Sequence, residues 1–265
     1  MINHNGDLLT RGRGLKGELG RRNTRLAEVP IKVMDVRIGS KLFSSFQNCV
    51  VVEPTACGGC RVLGWGSNTK CQLQQPKCRI IDHPVVLYQS ESILVDYAAM
   101  GKDFIVLVDK QRHMVHASGL LPSGFCLQDW GGKPVHVCCM WSSLHVWPGP
   151  GESAIFSYGN GNHDQLFRVP QNHLEIEDFA TGSEHGILVA AGGDGGVLCW
   201  GWGEHGNCGQ TGESATPSVP GVGNITKTLN TVFTRRDIES TGTRATPKVY
   251  GGCASTWIVR YMIKC

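Results

Sequence analysis

The residues of this chain that are best suited to chemistry are its cysteines and histidines. Cys57 and Cys60 enclose two glycines with the spacing of half a zinc knuckle, and a complete site needs two further ligands at similar spacing. The other cysteine pairs are adjacent or too widely spaced to supply them. A redox-active pair of this spacing normally opens a helix, whereas two glycines favour a turn. We therefore predict a hairpin turn at Cys57 and Cys60, with a metal or redox role as the alternative.

The ten histidines do not form a metal or catalytic pattern. His185 and His205 each follow a glutamate and a nearby glycine, in segments that recur along the chain. Residues that recur with a repeat usually stabilise it, so we predict hydrogen bonds from these imidazoles to neighbouring backbone groups. The chain has no His-Glu-x-x-His spacing, no nucleophile elbow and no evident pair of catalytic carboxylates. We predict that it is not an enzyme.

Composition places the chain among globular proteins, because 41% of its 265 residues are hydrophobic and 18% are charged. The net charge of +3 comes without a long basic run, so we do not predict direct binding of nucleic acid. No apolar run approaches the roughly 20 residues that span a bilayer, and the first residues lack the apolar core of a signal peptide. We expect the cytoplasm, or the cytoplasm and nucleus, with reduced cysteines.

Glycine is unusually abundant, at 35 residues, and it marks a repeat. Short apolar strands that contain a Gly-x-Gly or a near variant recur every 42 to 53 residues, and the reference glycines are Gly14, Gly66, Gly119, Gly161 and Gly203. Runs of β-branched and aromatic residues alternate with them, at 47–52, 100–108, 140–147, 181–189 and 251–259. Such a period is typical of one four-stranded propeller blade per repeat. We predict an all-β propeller with five visible blades.

The repeated glycines have a structural explanation. Inner strands of neighbouring blades converge, and glycine permits close approach of backbones and positive φ in the following loop. A phosphate-binding loop is the rival explanation, but it needs a helix directly after the glycines, and here strand and turn residues follow. We predict structural repeat positions at Gly64, Gly66, Gly182, His185, Gly201 and Gly203.

Residues 64–74, 181–189 and 200–209 resemble repeats of the regulator-of-chromosome-condensation family. Longer stretches, among them 64–77 and 96–109, are similar to the fungal α-tubulin suppressor family, which is also known for killer-toxin insensitivity. That family is described as seven-bladed, so the resemblance implies five blades of an expected seven. We expect residues 1–265 to form a single propeller domain that lacks about two N-terminal blades, with a long flexible loop at 210–246.

The same resemblance implies a function. It suggests a non-catalytic subunit that forms a heterodimer with the small zinc-binding protein of diphthamide biosynthesis, with Elongator as a further partner. The pair would support modification of the tRNA wobble uridine and formation of diphthamide on elongation factor two. Zinc is then expected on the partner and not on this chain, which needs no cofactor. The repeat class alone implies an alternative, a guanine-nucleotide exchange factor for a Ran-like small GTPase.

Aromatic and polar residues in or beside the glycine-rich loops are the candidate contacts for a partner, because tryptophans near propeller loops are common interface anchors. The alternative is that the tryptophans pack between blades. The candidate partner-binding residues are Trp65, Asn68, Lys70, Trp141, His145, Trp202, Glu204, His205 and Asn207.

Overall fold

A computed structural model of the chain describes residues 1–167, 174–191, 196–209, 230–234 and 246–259. The described residues form eighteen β-strands and one short 3-10 helix, and the strands build six antiparallel sheets, which we label A to F in chain order. Within these residues no helix has the length and apolar character needed to cross a membrane. The chain divides into two compact units, of which the first comprises Met1–Leu121 and Cys126–Pro134 and the second Pro122–Phe125 and Val135–Cys265.

The first unit contains three sheets. Sheet A is formed by β1 (Asp7–Arg13) and β2 (Leu26–Asp35). Sheet B is formed by β3 (Lys41–Ser45), β4 (Asn48–Pro54), β5 (Cys60–Ser67) and β6 (Ile80–Ser90). Sheet C is formed by β7 (Val95–Met100), β8 (Phe104–Asp109) and β9 (Met114–Gly119), and the 3-10 helix η1 (Leu127–Trp130) belongs to the same unit.

The second unit also contains three sheets. Sheet D is formed by β10 (His136–Cys139), β11 (Ser143–Trp147) and β12 (Phe156–Gly159). Sheet E is formed by β13 (Glu175–Thr181), β14 (His185–Ala191), β15 (Gly196–Gly201) and β16 (Asn230–Thr234). Sheet F is formed by β17 (Lys248–Gly251) and β18 (Thr256–Val259).

Apolar side chains on both faces of the middle strands form the hydrophobic cores of the two units. In the first unit, Val50 and Val62 of sheet B pack in one apolar cluster with Ile105 and Leu107 of sheet C. The second unit repeats this arrangement, with residues of sheets D and E in one cluster and residues of sheets E and F in the next. Strands buried on both faces need near-continuous apolar runs, which explains why β4, β8 and β14 were recognisable in the sequence.

The predicted hairpin turn at Cys57 and Cys60 is confirmed. It connects β4 to β5, and the Thr55 N–H donates to the Gly59 carbonyl at 2.9 Å while the Thr55 hydroxyl accepts from the Gly59 N–H at 3.1 Å. Gly58 has a φ of +87° in this turn. The two glycines therefore serve the turn itself.

Two sequence predictions need revision. The glycines that are structurally equivalent to Gly66 and Gly119 are Gly12, Gly159 and Gly201, because these end or nearly end a strand with positive φ. The reference glycines Gly14, Gly161 and Gly203 each lie two residues further along the loop. The expected flexible loop at 210–246 lies mostly outside the described residues. Within it, residues 230–234 form strand β16, in keeping with their Thr-Val-Phe-Thr composition.

Gly66→Ala is expected to destabilise the protein much more than Gly58→Ala. Both glycines have positive φ, but a Cβ on Gly66 would collide with the Gln47 carbonyl oxygen, whereas a Cβ on Gly58 would meet nothing within 4 Å. Left-handed strain costs about 1 kcal/mol at either position, and overpacking at Gly66 brings the expected loss in unfolding free energy to about 3 kcal/mol. Urea denaturation of the two variants checks this. Equal losses would show that close backbone approach at Gly66 is not a constraint.

Candidate functional site

The candidate site lies in the loops that follow β1, β5, β9, β12 and β15, one from each of sheets A to E, and these loops share one geometry. Each begins at a glycine with positive φ: Gly12, Gly66, Gly119, Gly159 and Gly201. In four of them the next residue donates its N–H to the carbonyl of the residue just before the neighbouring strand, as Trp202 does to Glu184 at 2.9 Å and Ser67 to Gln47 at 3.1 Å. The equivalent bonds are Leu120 to Asp103 and Asn160 to Ser142.

A second positive φ occurs five residues after the first in all five loops, at Gly17, Cys71, Gly124, Asp164 and Gly206. It closes a turn, in which the N–H of Gly206, for example, donates to the Gly203 carbonyl at 3.0 Å. In three loops the residue after this position folds its side chain back onto the loop: Gln72 accepts from the Lys70 N–H at 2.9 Å, and Gln165 accepts from the His163 N–H at 2.8 Å. Glu18 makes the same contact with Lys16 at 2.7 Å. The loops are therefore fixed by their own hydrogen bonds.

Trp65 and Asn68 are structural residues in this arrangement and not available to a partner. Both have no exposed surface. The Trp65 indole donates to the Glu18 carbonyl at 2.8 Å, which joins sheet B to the loop of sheet A. The Asn68 carboxamide accepts from the N–H groups of Leu73 and Gln74 at 2.9 and 3.2 Å. Because both side chains are fully buried, a partner cannot contact them, and we remove Trp65 and Asn68 from the candidate interface.

His145 and Asn207 are buried in the same way. The His145 ring lies between two hydroxyls, 2.9 Å from Ser143 Oγ and 2.8 Å from Ser157 Oγ. Burial lowers the pKa of His145 to about 3, so the ring is neutral at physiological pH. A serine beside an imidazole is the arrangement of a nucleophile and its base. Because Ser143 and His145 have no exposed surface, no substrate can reach them in this conformation.

The predicted repeat positions have structural contacts. His185 is buried, and its Nε2 lies 3.1 Å from the Thr256 hydroxyl of sheet F. Burial lowers the pKa of His185. The glycines leave no room for a side chain. A Cβ on Gly182 would collide with the His185 ring. A Cβ on Gly201 would lie 2.6 Å from the Glu184 carbonyl oxygen, and a Cβ on Gly64 would lie 2.6 Å from the Leu73 side chain. The Gly203 carbonyl accepts the hydrogen bond from the Gly206 N–H that closes its turn.

The remaining candidates have accessible side chains. Lys70, Glu204 and His205 are exposed, and Trp141 and Trp202 are half-buried. In the second unit the structure brings Trp141 and Trp202 to the same end of sheets D and E, because the Trp141 N–H donates to Ser183 at 2.7 Å and the Trp202 N–H donates to the adjacent Glu184. Lys70 belongs to the first unit.

Trp202 is the centre of an aromatic group. The exposed His163 ring stacks on the indole, with centroids 4.6 Å apart and planes 11° from parallel, and the His205 ring lies 6.0 Å away. The Trp202 Nε1 is buried but has no hydrogen-bond acceptor among the described residues. An unpaired buried donor is uncommon in native proteins and costs stability. We name His163, Trp202, Glu204 and His205 the Trp202 cluster.

His163 was missed in the sequence. It lies four residues after Gly159, as His205 lies four residues after Gly201, so a position-by-position comparison of these two loops would have found it.

Metal or redox chemistry at Cys57 and Cys60 gains no support from the geometry. Cys57 is exposed and Cys60 is buried, where its thiol lies 3.3 Å from the Ile93 carbonyl oxygen. Burial raises the pKa of Cys60, which disfavours the reactive thiolate. In the part of the chain that the structure describes, no three His, Cys, Asp or Glu side chains are grouped to hold a metal ion.

Comparison with solved structures identifies the fold. The structure of human WBSCR16 is similar with a TM-score of 0.59 and 14% identity, over 95% of this chain and 67% of that one. Yeast RCC1 (Prp20), solved bound to Kap60, is similar with a TM-score of 0.60 and 16% identity, over 97% of this chain and 64% of that one. No family model and no curated protein matches the sequence.

These likenesses, together with the six antiparallel sheets, show an all-β propeller fold of the chromosome-condensation-regulator type, as the repeats predicted. The chain spans about two thirds of the length of those proteins.

Acidification is expected to destabilise the protein partly through His145. Its pKa is depressed in the folded state, so the unfolded chain binds a proton below about pH 6.5 that the folded chain does not bind until about pH 3. The stability is therefore complete above pH 6.5 and falls on acidification, by about 2 kcal/mol at pH 5. Urea unfolding of the wild type and His145→Gln at pH 7.5 and pH 5 measures this. The variant should lose about 2 kcal/mol less between the two pH values, and an equal loss would contradict the assignment.

Proposed function

We propose that this chain is a non-catalytic protein-binding scaffold and that it docks its partner on the Trp202 cluster. The observation that supports this is the half-buried indole of Trp202, whose ring is stacked on the exposed ring of His163 and lies near the exposed ring of His205. Tryptophan is among the residues that contribute most to binding energy at protein interfaces. A partner that packs on the exposed part of the Trp202 and His163 rings would bury this aromatic surface.

The loop that presents this cluster is fixed before a partner arrives. The Trp202 carbonyl accepts from the Asn207 carboxamide at 2.8 Å, and the Gly206 turn closes the loop between them. Ordering a loop on association costs binding free energy, so a pre-formed loop favours tighter binding. The exposed Glu204 and His205 lie on this loop at the border of the aromatic group, where polar residues set specificity.

For the partner, we propose the small zinc-binding protein of diphthamide biosynthesis. The support is the sequence resemblance of residues 64–77 and 96–109 to the α-tubulin suppressor family. On this proposal the zinc ion belongs to the partner, and the complex supports diphthamide formation on elongation factor two and, with Elongator, modification of the tRNA wobble uridine. The corresponding location is the cytoplasm, or the cytoplasm and nucleus.

The alternative is guanine-nucleotide exchange on a Ran-like small GTPase, which the shared fold with yeast RCC1 brings into consideration. A fold does not by itself determine a function. An exchange factor needs a contiguous acidic and polar face, whereas the candidate site is centred on an aromatic group of Trp202 and two histidines. We therefore favour the scaffold.

Trp202→Ala is expected to weaken binding of the purified zinc protein about thirty-fold, which corresponds to about 2 kcal/mol at an interface anchor. Isothermal titration calorimetry measures the dissociation constant. Trp257→Ala is the matched control, because Trp257 is an exposed tryptophan of the same unit whose indole donates to Ser255, outside the cluster. Trp202→Phe keeps a smaller aromatic ring and should give an intermediate loss.

Three results would contradict the proposal. Wild-type chain that does not bind the zinc protein excludes this partner. Equal weakening by Trp202→Ala and Trp257→Ala, in variants with unchanged circular dichroism, excludes the Trp202 cluster as the docking site. Accelerated release of nucleotide from a Ran-like GTPase, abolished by Trp202→Ala, would replace the scaffold by the exchange factor.

A further inference from the structure

A second surface with a distinct chemistry lies in the first unit, on sheet A and the loop that joins its two strands. Residues 11–25 contain six basic side chains and one carboxylate, a much higher density of positive charge than the +3 of the whole chain. The five arginines of this segment are exposed and the lysine is half-buried; they are Arg11, Arg13, Lys16, Arg21, Arg22 and Arg25. We name these six residues the basic loop.

The charges of the basic loop are not neutralised by the described part of the chain. None of the six makes an ion pair with a carboxylate there. Arg21 donates to the Lys32 carbonyl at 3.3 Å, and the Arg22 guanidinium lies 3.2 Å from His83 Nε2. The one carboxylate of the segment, Glu18, accepts the N–H of Lys16.

The neighbouring carboxylates Asp7, Asp35 and Asp82 already have partners. Asp82 accepts from the Asn23 N–H at 2.8 Å and lies 3.1 Å from the ring of His83. Asp7 and Asp35 both pair with Lys32. Glu28 of β2 is exposed. The loop packs against β6 at Gly17, and just before β6 the chain adds two more exposed cations, Lys77 and Arg79. The surface therefore has a net positive charge.

The connection of twelve residues between β1 and β2, which carries Lys16, Arg21, Arg22 and Arg25, is rigid. The Gly14 N–H donates to the Arg25 carbonyl at 3.0 Å, and the Thr10 hydroxyl donates to the Leu19 carbonyl at 2.7 Å. Leu19 is buried, and the Glu18 carbonyl accepts the Trp65 indole. Cations held on a fixed backbone lose less conformational freedom when they bind an anionic ligand.

Exposed aliphatic side chains lie between these cations. Leu15, Leu26 and Val29 are 52%, 60% and 67% exposed. Leu26 pairs with Arg13 across the two strands of sheet A. A nucleic-acid backbone offers phosphates but nothing that covers aliphatic groups, and the segment has no aromatic residue on which bases could stack. A peptide with acidic and aliphatic side chains would match both features.

We propose that the basic loop, with Leu15, Leu26 and Val29, binds an acidic protein segment in which carboxylates are interspersed with aliphatic residues. Arginine forks bind carboxylates bidentately, and the aliphatic groups supply an apolar contact between them. This surface belongs to the first unit and the Trp202 cluster to the second, so the proposal goes beyond the proposed function and can fail independently of it.

Fluorescence anisotropy with a labelled synthetic peptide of alternating glutamate pairs and leucines tests the proposal on the full chain. Arg13→Ala combined with Arg25→Ala should weaken binding about tenfold. The matched control combines Lys110→Ala and Lys133→Ala, which removes the same charge from exposed positions of the same unit. Leu26→Ser combined with Val29→Ser should also weaken binding while leaving the charge unchanged.

The outcomes separate the possible ligands. The proposal is supported if the peptide binds the wild-type chain and the lysine control variant, and binds the arginine and aliphatic variants more weakly. No binding of the peptide by wild-type chain, or equal weakening in the control variant, overturns it. Tighter binding of a single-stranded oligothymidine of equal charge, unaffected by Leu26→Ser and Val29→Ser, would overturn it in favour of nucleic acid.

Discussion

The structure depends on one repeated hydrogen bond, in which a loop carbonyl of one sheet accepts from a side chain of the following sheet in the same unit. In the first unit the Glu18 carbonyl accepts the Trp65 indole and the Gln72 carbonyl accepts the Ser118 hydroxyl. In the second unit the Gln165 carbonyl accepts the Trp200 indole at 2.9 Å, and the Asn207 carbonyl accepts the Thr256 hydroxyl at 2.6 Å. All four acceptors occupy the same position of the loop.

This bond requires that the loop take one conformation. The glycine that begins each loop and the positive φ five residues later fix the path of the backbone. The buried side chains of Gln72 and Gln165 then accept from N–H groups of their loops and hold this conformation. His163, Glu204 and His205 lie between the two positive-φ positions of their loops, and their side chains are exposed on a rigid backbone. The framework of the repeat thus produces the surface that we propose for docking.

Much of the fold could be predicted from the sequence, because buried middle strands need runs of β-branched and aromatic residues and glycine-rich loops recur between them. The site was harder to predict, because exposure depends on the register of each glycine. Trp65 precedes its glycine and points into the core, whereas Trp202 follows its glycine and is half-exposed, so two similar tryptophans have opposite roles. The outer strands β2 and β6 lack a comparable apolar run and were not recognised. The basic loop was overlooked because its charge is diluted in the net charge of the chain.

The central claim is that a pre-formed loop of the second unit presents Trp202 to a protein partner. Hydrogen–deuterium exchange of the chain, alone and with the zinc protein, tests it most directly. We predict that the hydrogen-bonded amides of Trp202, Gly206 and Gly209 are already protected in the free chain, and that peptides covering 158–167 and 200–209 gain protection on binding. Rapid exchange of this loop in the free chain, or protection by the partner that leaves both peptides unchanged, would contradict the account.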